Sequence, residues 1–259
     1  MSKRNDGQAR GKYTLEFKLG AVRLVKGGQA VSVTAKVLGV PVQTLGNWVR
    51  LSRLALYGQN VLSVTRQLYH SGAHTQSLDL VLFINGLPIA TAELKNELSG
   101  QTVEDAIKQY KRTRDQRELL FDFKKRTLVH FAVDPDQVFM ATRLSGDKTQ
   151  FLPFNLGNAG HAGNPLATDG GSRTAYLWRG VWQRDSLLDI LGRFMHLQVE
   201  EKRILTDEGI KKITKETMVF PRYHQLDSVL ALVAHAKAHG PGRNYLVHHL
   251  AGWRTGCQA

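Results

Sequence analysis

The chain has 259 residues, of which 42% are hydrophobic, so it is long enough for one large or two modest globular domains. Its single cysteine, Cys257, excludes an intrachain disulfide and indicates a reducing, cytoplasmic location. No apolar run approaches the length of a transmembrane span, and we expect no membrane partner.

The net charge of +13 is concentrated near the N-terminus. Residues 1–54 contain 10 Lys or Arg against Asp6 and Glu16, whereas the rest of the chain carries 25 against 20. Such a basic excess favours a polyanionic partner, and we expect DNA. Residues 1–12 lack apolar periodicity and are predicted to form a disordered basic tail. A tail that is only solvated is the alternative.

Residues 13–53 are predicted to form three short helices, because apolar residues recur there at helical spacing between glycine breaks. Ala35, Gly39 and Leu45 have the spacing of a helix-turn-helix, with a small residue at the helix crossing, a glycine at the turn and an apolar residue on the third helix. A plain three-helix bundle is the competing interpretation. In a helix-turn-helix, four residues would face outward as base or phosphate contacts: Gln43, Thr44, Asn47 and Arg50.

Residues 11–51 resemble the first reading frame of insertion-sequence transposases, in the words YTLEFKLGAVRLV and LGVPVQTLGNWVR. The N-terminal module of that family binds the terminal repeats of the element, so the resemblance implies a helix-turn-helix that binds DNA. Gly46 departs from the pattern, since a glycine inside a recognition helix costs about 1 kcal/mol relative to alanine.

Residues 77–95 have the pattern of a metal-dependent nuclease: an isolated Asp79, an apolar hairpin, and then Glu93 and Lys95 on alternate positions. Strand residues two apart face the same way, so Glu93 and Lys95 can reach one site, and Asp79 would supply a second carboxylate. The carboxylates can bind Mg²⁺, which activates water, and the ammonium group stabilises developing phosphate charge. Two solvated charges at the end of an edge strand are the alternative.

This chemistry restricts the register of the hairpin. A regular hairpin with a two-residue Asn85–Gly86 turn would pair Asp79 with Ala92 and leave Glu93 on the other face. Carboxylates that lie side by side therefore require a three-residue loop or a compensating bulge.

The region of about residues 55–247 resembles the N-terminal nuclease region of the restriction (R) subunit of type I restriction enzymes, in the words LSVTRQL, TAELKN and GQTVEDAIKQY. The resemblance implies an α+β or α/β restriction-endonuclease-like core of the PD-(D/E)xK type, Mg²⁺ as cofactor, and DNA and the modification and specificity subunits as partners. Related nucleases use a Gln and a Tyr on the following helix to position DNA, which implies DNA contacts for Gln109, Tyr110 and the neighbouring Lys111. The usual Gln-x-x-x-Tyr spacing is not kept.

Local patterns predict elements that suit such a core over residues 55–200, although its first helix looks absent. The predicted strands and helices are strands at 61–68, 78–84, 88–95, 127–133 and 137–143, and helices at 103–113 and 184–198.

Residues 201–259 resemble the start of a helicase motor domain. The segment FPRYHQ looks like an adenine-reading segment, which implies a nucleotide contact for Gln225. No phosphate loop with its lysine follows, so the chain looks truncated and is not expected to bind ATP, although the intact family uses it.

The sequence thus predicts a DNA-directed endonuclease fragment of a type I restriction-modification system, a site-specific deoxyribonuclease that truncation could leave inactive. A small all-α helix-turn-helix module would precede its nuclease core. One alternative is a catalytically silent, sequence-specific DNA-binding protein derived from a transposase. Another is a non-functional translated remnant.

Overall fold

The computed structural model describes residues 13–72, 75–158, 161–206, 209–240 and 242–247, and gives only the backbone at 53–54, 97, 202–206 and 209–211. The predicted tail of residues 1–12 and Cys257 lie outside the described residues. The chain divides into two compact units, residues 1–61 and 62–259.

Three helices form the first unit: α1 over Leu15–Lys26, α2 over Val31–Leu38 and α3 over Val42–Gln59. α2 ends at Gly39, whose left-handed φ of +64° lets the chain turn directly into α3. The third helix continues past residue 53, where the predicted three-helix region ends, and finishes at Gln59.

The core of the first unit draws residues from all three helices and from the turn. Its buried members are Ala21, Val22, Ala35, Val40, Leu45 and Val49. The ring of Trp48 covers one side of this core, with its centroid 5.1 Å from that of Tyr13 and 6.2 Å from that of Phe17. Both a helix-turn-helix and a plain three-helix bundle require Ala35 and Leu45 to be buried. Their burial therefore does not distinguish the two interpretations.

Six strands form one sheet among the described residues of the second unit, in the order of the sequence. They are β1 (Leu62–Tyr69), β2 (Ser77–Ile84), β3 (Leu87–Leu94), β4 (Val129–Val133), β5 (Val138–Ala141) and β6 (Leu152–Pro153). β3 and β4 are parallel, whereas the other neighbours are antiparallel. The parallel connection contains α4 (Val103–Arg112), which buries Val103 and Ala106 against Ala132 of β4. The result is the mixed α+β architecture that the sequence predicts.

The C-terminal part of the second unit differs from the predicted pattern. α5 (Arg184–Asp189) continues into a π-helical turn, Ile190–Phe194. β7 (His196–Thr206) then pairs with β8 (Gly209–Val219) in a separate two-stranded sheet. The prediction of a helix over 184–198 is therefore wrong at its C-terminal end, because His196 already pairs with Val219.

The last helix is α6, Tyr223–His239. Leu226 of α6 and the preceding Phe220 belong to the same buried cluster as Phe131 of β4 and Met140 of β5. The predicted domain boundary at residue 200 thus falls inside the β7–β8 hairpin, and residues on both sides of it belong to one unit. No helix in the described part of the chain is long and apolar enough to cross a membrane.

Two glycines of the first unit give a matched test of its turn. We expect Gly39→Ala to lower the free energy of unfolding by about 1 kcal/mol, because its left-handed backbone strains any side chain. We expect Gly46→Ala to raise it by up to about 1 kcal/mol, because the added methyl group meets no atom within 4 Å inside α3. Chemical denaturation of the two variants measures both effects, and effects of the same sign would contradict the turn.

Candidate active site

The β2–β3 hairpin has the register that the predicted site requires. Its turn is the two-residue Asn85–Gly86, with positive φ at both positions, 52° and 79°. A β-bulge in β3 then inserts one residue, so that Leu80 pairs with Ala92. Continuing this register by one step places Asp79 opposite Glu93. Of the two predicted alternatives, a three-residue loop and a compensating bulge, the structure has the bulge.

Asp79 is half-buried and fixed by two hydrogen bonds. Its Oδ2 accepts from the backbone N–H of Leu94 at 2.8 Å, and its Oδ1 accepts from Nε2 of Gln67 at 3.0 Å. Gln67 lies within β1 with a φ of +51°, and its Oε1 accepts from the hydroxyl of Ser77 at 2.8 Å. A non-glycine residue in this region of backbone space costs on the order of 1–3 kcal/mol. Sequence reasoning missed Gln67, because no local pattern marks a glutamine in a strand as strained.

Glu93 is fully buried and paired with Arg114. Arg114 donates from Nε and Nη2 to Oε1 of Glu93 at 2.8 Å and 2.5 Å, and also from Nη2 to the carbonyl of Ser77 at 2.7 Å. Burial raises the pKa of the Glu93 carboxyl from its ordinary value of 4.5 to about 7, although the charge and hydrogen bonds of Arg114 lower it. Arg114 was not predicted either, since its contact with Glu93 spans 21 residues of chain.

The second oxygen of Glu93, Oε2, is buried and has no hydrogen-bond partner among the described residues. An unsatisfied carboxylate oxygen in the interior costs free energy that a bound cation or a donor would recover. This oxygen is therefore an available ligand position beside Asp79.

Lys95 follows directly after β3, and its backbone N–H extends the pairing with β4 by donating to the carbonyl of Val133 at 2.8 Å. Its Nζ donates to Oε1 of Gln109 on α4 at 2.6 Å. The charge of Asp79 raises the pKa of Glu93 and that of Lys95 lowers it, so the three groups lie within electrostatic reach of one another. Gln109 and Lys111 are half-buried on α4, and their contact with DNA stays a prediction.

Tyr110 is inaccessible to solvent. Its hydroxyl lies 2.8 Å from Oγ1 of Thr91, which in turn lies 2.8 Å from Nδ1 of His130. Burial lowers the pKa of His130 to about 3, so the imidazole in this network is neutral near pH 7. The prediction that Tyr110 contacts DNA is wrong, because its side chain fixes α4 on the sheet instead.

The other predicted contact residues lie apart from the hairpin site. On α3 of the first unit, Gln43, Asn47 and Arg50 are exposed and Thr44 is partly exposed, as an outward-facing set requires. In the second unit, Gln225 is exposed at the start of α6, where its Oε1 accepts from the backbone N–H of Arg222 at 3.1 Å. Its nucleotide contact stays a prediction.

The described residues contain no group of three or more His, Cys, Asp or Glu side chains that could hold a metal ion. Asp79 and Glu93 would be the two protein ligands available at this site. Mg²⁺ usually keeps several waters and takes one or two carboxylates, so a pair with an unpartnered Oε2 fits its donor requirements.

Comparison with known proteins points to the same region. Residues 22–149 match the family model of the type I restriction enzyme R protein N terminus, HSDR_N. This match includes Asp79, Glu93 and Lys95, and it begins within α1, well before residue 55, where the sequence analysis placed the start of the restriction-enzyme region.

One curated relative is the endonuclease subunit of the putative type I restriction enzyme MjaVIIIP from Methanocaldococcus jannaschii, to which the chain is 25% identical over 182 residues. The alignment covers 70% of the chain and 15% of the relative, so the chain spans a small part of that subunit. No solved structure matches the chain. The resemblance of residues 11–51 to transposases is not shown by these matches.

The raised pKa of Glu93 leads us to expect an unusual dependence of stability on pH. The folded chain binds its proton more tightly than the unfolded chain, because the pKa is about 7 in the fold against the ordinary 4.5. The stability from this group is complete below pH 4.5 and falls as pH rises through 7, by up to about 3 kcal/mol. Chemical denaturation between pH 5 and 8 measures the decline.

Glu93→Gln isolates this effect, since the amide oxygen can still accept from Arg114 and does not titrate. We expect the variant to lose the decline, whereas Glu104→Gln, an exposed carboxylate on α4, should retain it. An equal decline in Glu93→Gln would assign the effect to another group.

Proposed function

We propose that the β2–β3 site hydrolyses phosphodiester bonds of DNA with Mg²⁺, as the nuclease site of a type I restriction-modification system. The observation that carries this proposal is the hairpin register, because it brings Asp79 and Glu93 side by side, with Lys95 two residues after Glu93. The match of residues 22–149 to the R protein N terminus supports the same reaction class.

In this proposal, Asp79 and Oε2 of Glu93 hold the metal. When bound, Mg²⁺ supplies an activated water and neutralises charge on the phosphate. The ammonium group of Lys95, held at 2.6 Å by Gln109, orients the attacking water or stabilises charge that develops on the phosphate.

Arg114 has a separate part in this scheme. Its guanidinium engages only Oε1 of Glu93 and is anchored to the carbonyl of Ser77, so Oε2 can take a cation while Arg114 stays in place. The positive charge of Arg114 also favours the ionised form of Glu93 near pH 7, which is the form that binds a metal.

The proposed DNA contacts beside the site are Gln109 and Lys111 on α4. The modification and specificity subunits of a type I complex are the proposed protein partners, because the similar archaeal protein is an endonuclease subunit of such an enzyme.

We expect Lys95→Ala to reduce Mg²⁺-dependent cleavage of supercoiled plasmid DNA by on the order of 100-fold or more, because it removes an electrostatic stabiliser of the transition state. Plasmid relaxation with Mg²⁺ and with a chelator measures the loss.

The matched control for Lys95→Ala is Lys108→Ala, which removes an exposed ammonium of α4 that pairs with Asp105. It should leave the cleavage rate nearly unchanged. Cleavage by purified Lys95→Ala at the parental rate would show that the site is misassigned.

A second function, DNA binding by the first unit, is favoured by the exposure of Gln43, Asn47 and Arg50 on α3. Side chains on one exposed stretch of a helix can enter the major groove, and the basic excess of residues 1–54 adds phosphate contacts.

We expect the affinity of the full chain for mixed-sequence duplex DNA to fall with salt, and Arg50→Ala to reduce the slope of log Kd against log salt by about 1. Fluorescence anisotropy between low and moderate salt measures this slope. Gln59→Ala, at the exposed far end of α3, is the matched control and should keep the parental slope. Binding that does not change with salt would contradict the assignment.

A further inference from the structure

The second unit contains a cavity of about 510 Å³ that is separate from the hairpin site. Its walls come from β5, β6 and the loop between them on one side, and from β8 and the start of α6 on the other. The hydroxyl of Thr142 donates to the carbonyl of Met218 at 2.8 Å and ties the two sides together. The cavity is therefore formed by fixed walls rather than by one surface loop.

The rim of this cavity is strongly basic. Four cationic side chains line it: Arg143 and Lys148 from the β5–β6 loop, Lys215 from β8, and Arg222 directly before α6. None of them has a carboxylate partner among the described residues. Glu216 is the acidic residue in the described lining, and it is neutralised by an ion pair with Lys124.

Unpaired like charges around one cavity repel each other, and an anion relieves that repulsion. A cleft lined by charges of one sign also focuses its field and concentrates ions of the opposite sign. The charge pattern thus points to an anionic ligand.

The floor of the cavity is apolar. Its members are Met140, Leu152, Met218, Val219 and Phe220. The guanidinium of Arg143 lies 4.8 Å from the ring centroid of Phe123, a cation–π contact that holds one rim cation in place. A basic rim over an apolar floor suits a ligand that combines phosphate groups with flat or apolar parts.

We propose that this cavity binds the phosphodiester backbone of a nucleic-acid strand. Phosphates spaced along a strand can meet four cations that come from three separate segments. Gln225, the predicted nucleotide contact, also lines the cavity. A free nucleotide brings its phosphates to one point, however, and the described lining offers no glycine-rich loop to cradle them there. The proposal stands independently of hydrolysis at Asp79 and Glu93, because it uses none of the residues of that site.

The test uses the full chain, with Mg²⁺ omitted and a chelator present so that no cleavage occurs. Fluorescence anisotropy measures the binding of a labelled single strand and of the corresponding duplex. For Lys215→Gln combined with Arg222→Gln, we expect Kd to rise on the order of tenfold at moderate salt and the salt slope for the single strand to fall by roughly 1.4, as two lost phosphate contacts require.

The matched control is Arg193→Gln combined with Lys237→Gln, which removes the same charge from exposed positions of the second unit outside the cavity. It should leave the affinity nearly unchanged. An equal loss of affinity in the control would show that the effect comes from net charge alone, and it would overturn the proposal. An unchanged affinity in the cavity variant would overturn it as well.

A second measurement keeps the proposal testable if Arg222→Gln destabilises the start of α6. Lysine acylation of the parental chain, read by mass spectrometry, should show Lys148 and Lys215 protected when the strand binds and Lys237 unprotected. Equal acylation of Lys148 and Lys215 with and without the strand would overturn the proposal. Displacement of the strand from these lysines by stoichiometric ATP or ADP would assign the cavity to a free nucleotide instead.

Discussion

The buried ion pair between Glu93 and Arg114 is the interaction on which the arrangement of the candidate site depends. The guanidinium of Arg114 contacts both Glu93, near the end of β3, and the carbonyl of Ser77, at the start of β2. Arg114 itself lies two residues after α4, so this one side chain connects two strands and a helix. Removing such a charge pair from water is favourable only when hydrogen bonds satisfy both groups. Arg114 satisfies one oxygen of Glu93 and leaves the other without a hydrogen-bond partner among the described residues, so a proton, a donor or a cation can bind there.

The backbone near this pair departs from regular geometry at two places. A regular two-residue hairpin would put Asp79 and Glu93 on opposite faces, and the bulge in β3 restores them to one face. On the neighbouring strand, Gln67 adopts a left-handed φ that allows its carboxamide to reach Oδ1 of Asp79. A left-handed non-glycine residue such as Gln67 persists only where the surrounding structure over-determines it, and both Gln67 and the bulge orient the carboxylates. A sheet that only had to be stable would require neither the bulge nor the left-handed Gln67.

The sequence predicts the parts of this arrangement that local pattern or chemistry determines. The first three strands agree with the structure within about one residue at each end. The requirement of two carboxylates on one face predicts either a three-residue loop or a bulge, and the bulge is what the structure has. Arg114 and Gln67 act through contacts distant along the chain, which periodicity does not report. Tyr110 is different, because its spacing of seven and four residues from the buried Val103 and Ala106 places it on the apolar face of α4. The helical spacing thus predicts a buried Tyr110, whereas the resemblance to nucleases with a DNA-contacting tyrosine predicts an exposed one. The structure agrees with the spacing.

The helices of the first unit combine features of both resemblances. The family match begins at residue 22, so α2 and α3 lie within the matched region and need not come from an unrelated fusion. α3 itself has two chemically different halves. Its first half exposes Gln43, Asn47 and Arg50, which suit a polar polyanion, whereas its second half exposes Leu51 and Leu56, which a free DNA-binding helix does not require. A helix with this division can contact DNA at one end and pack against protein at the other, so DNA binding by α3 is compatible with its similarity to the R protein N terminus.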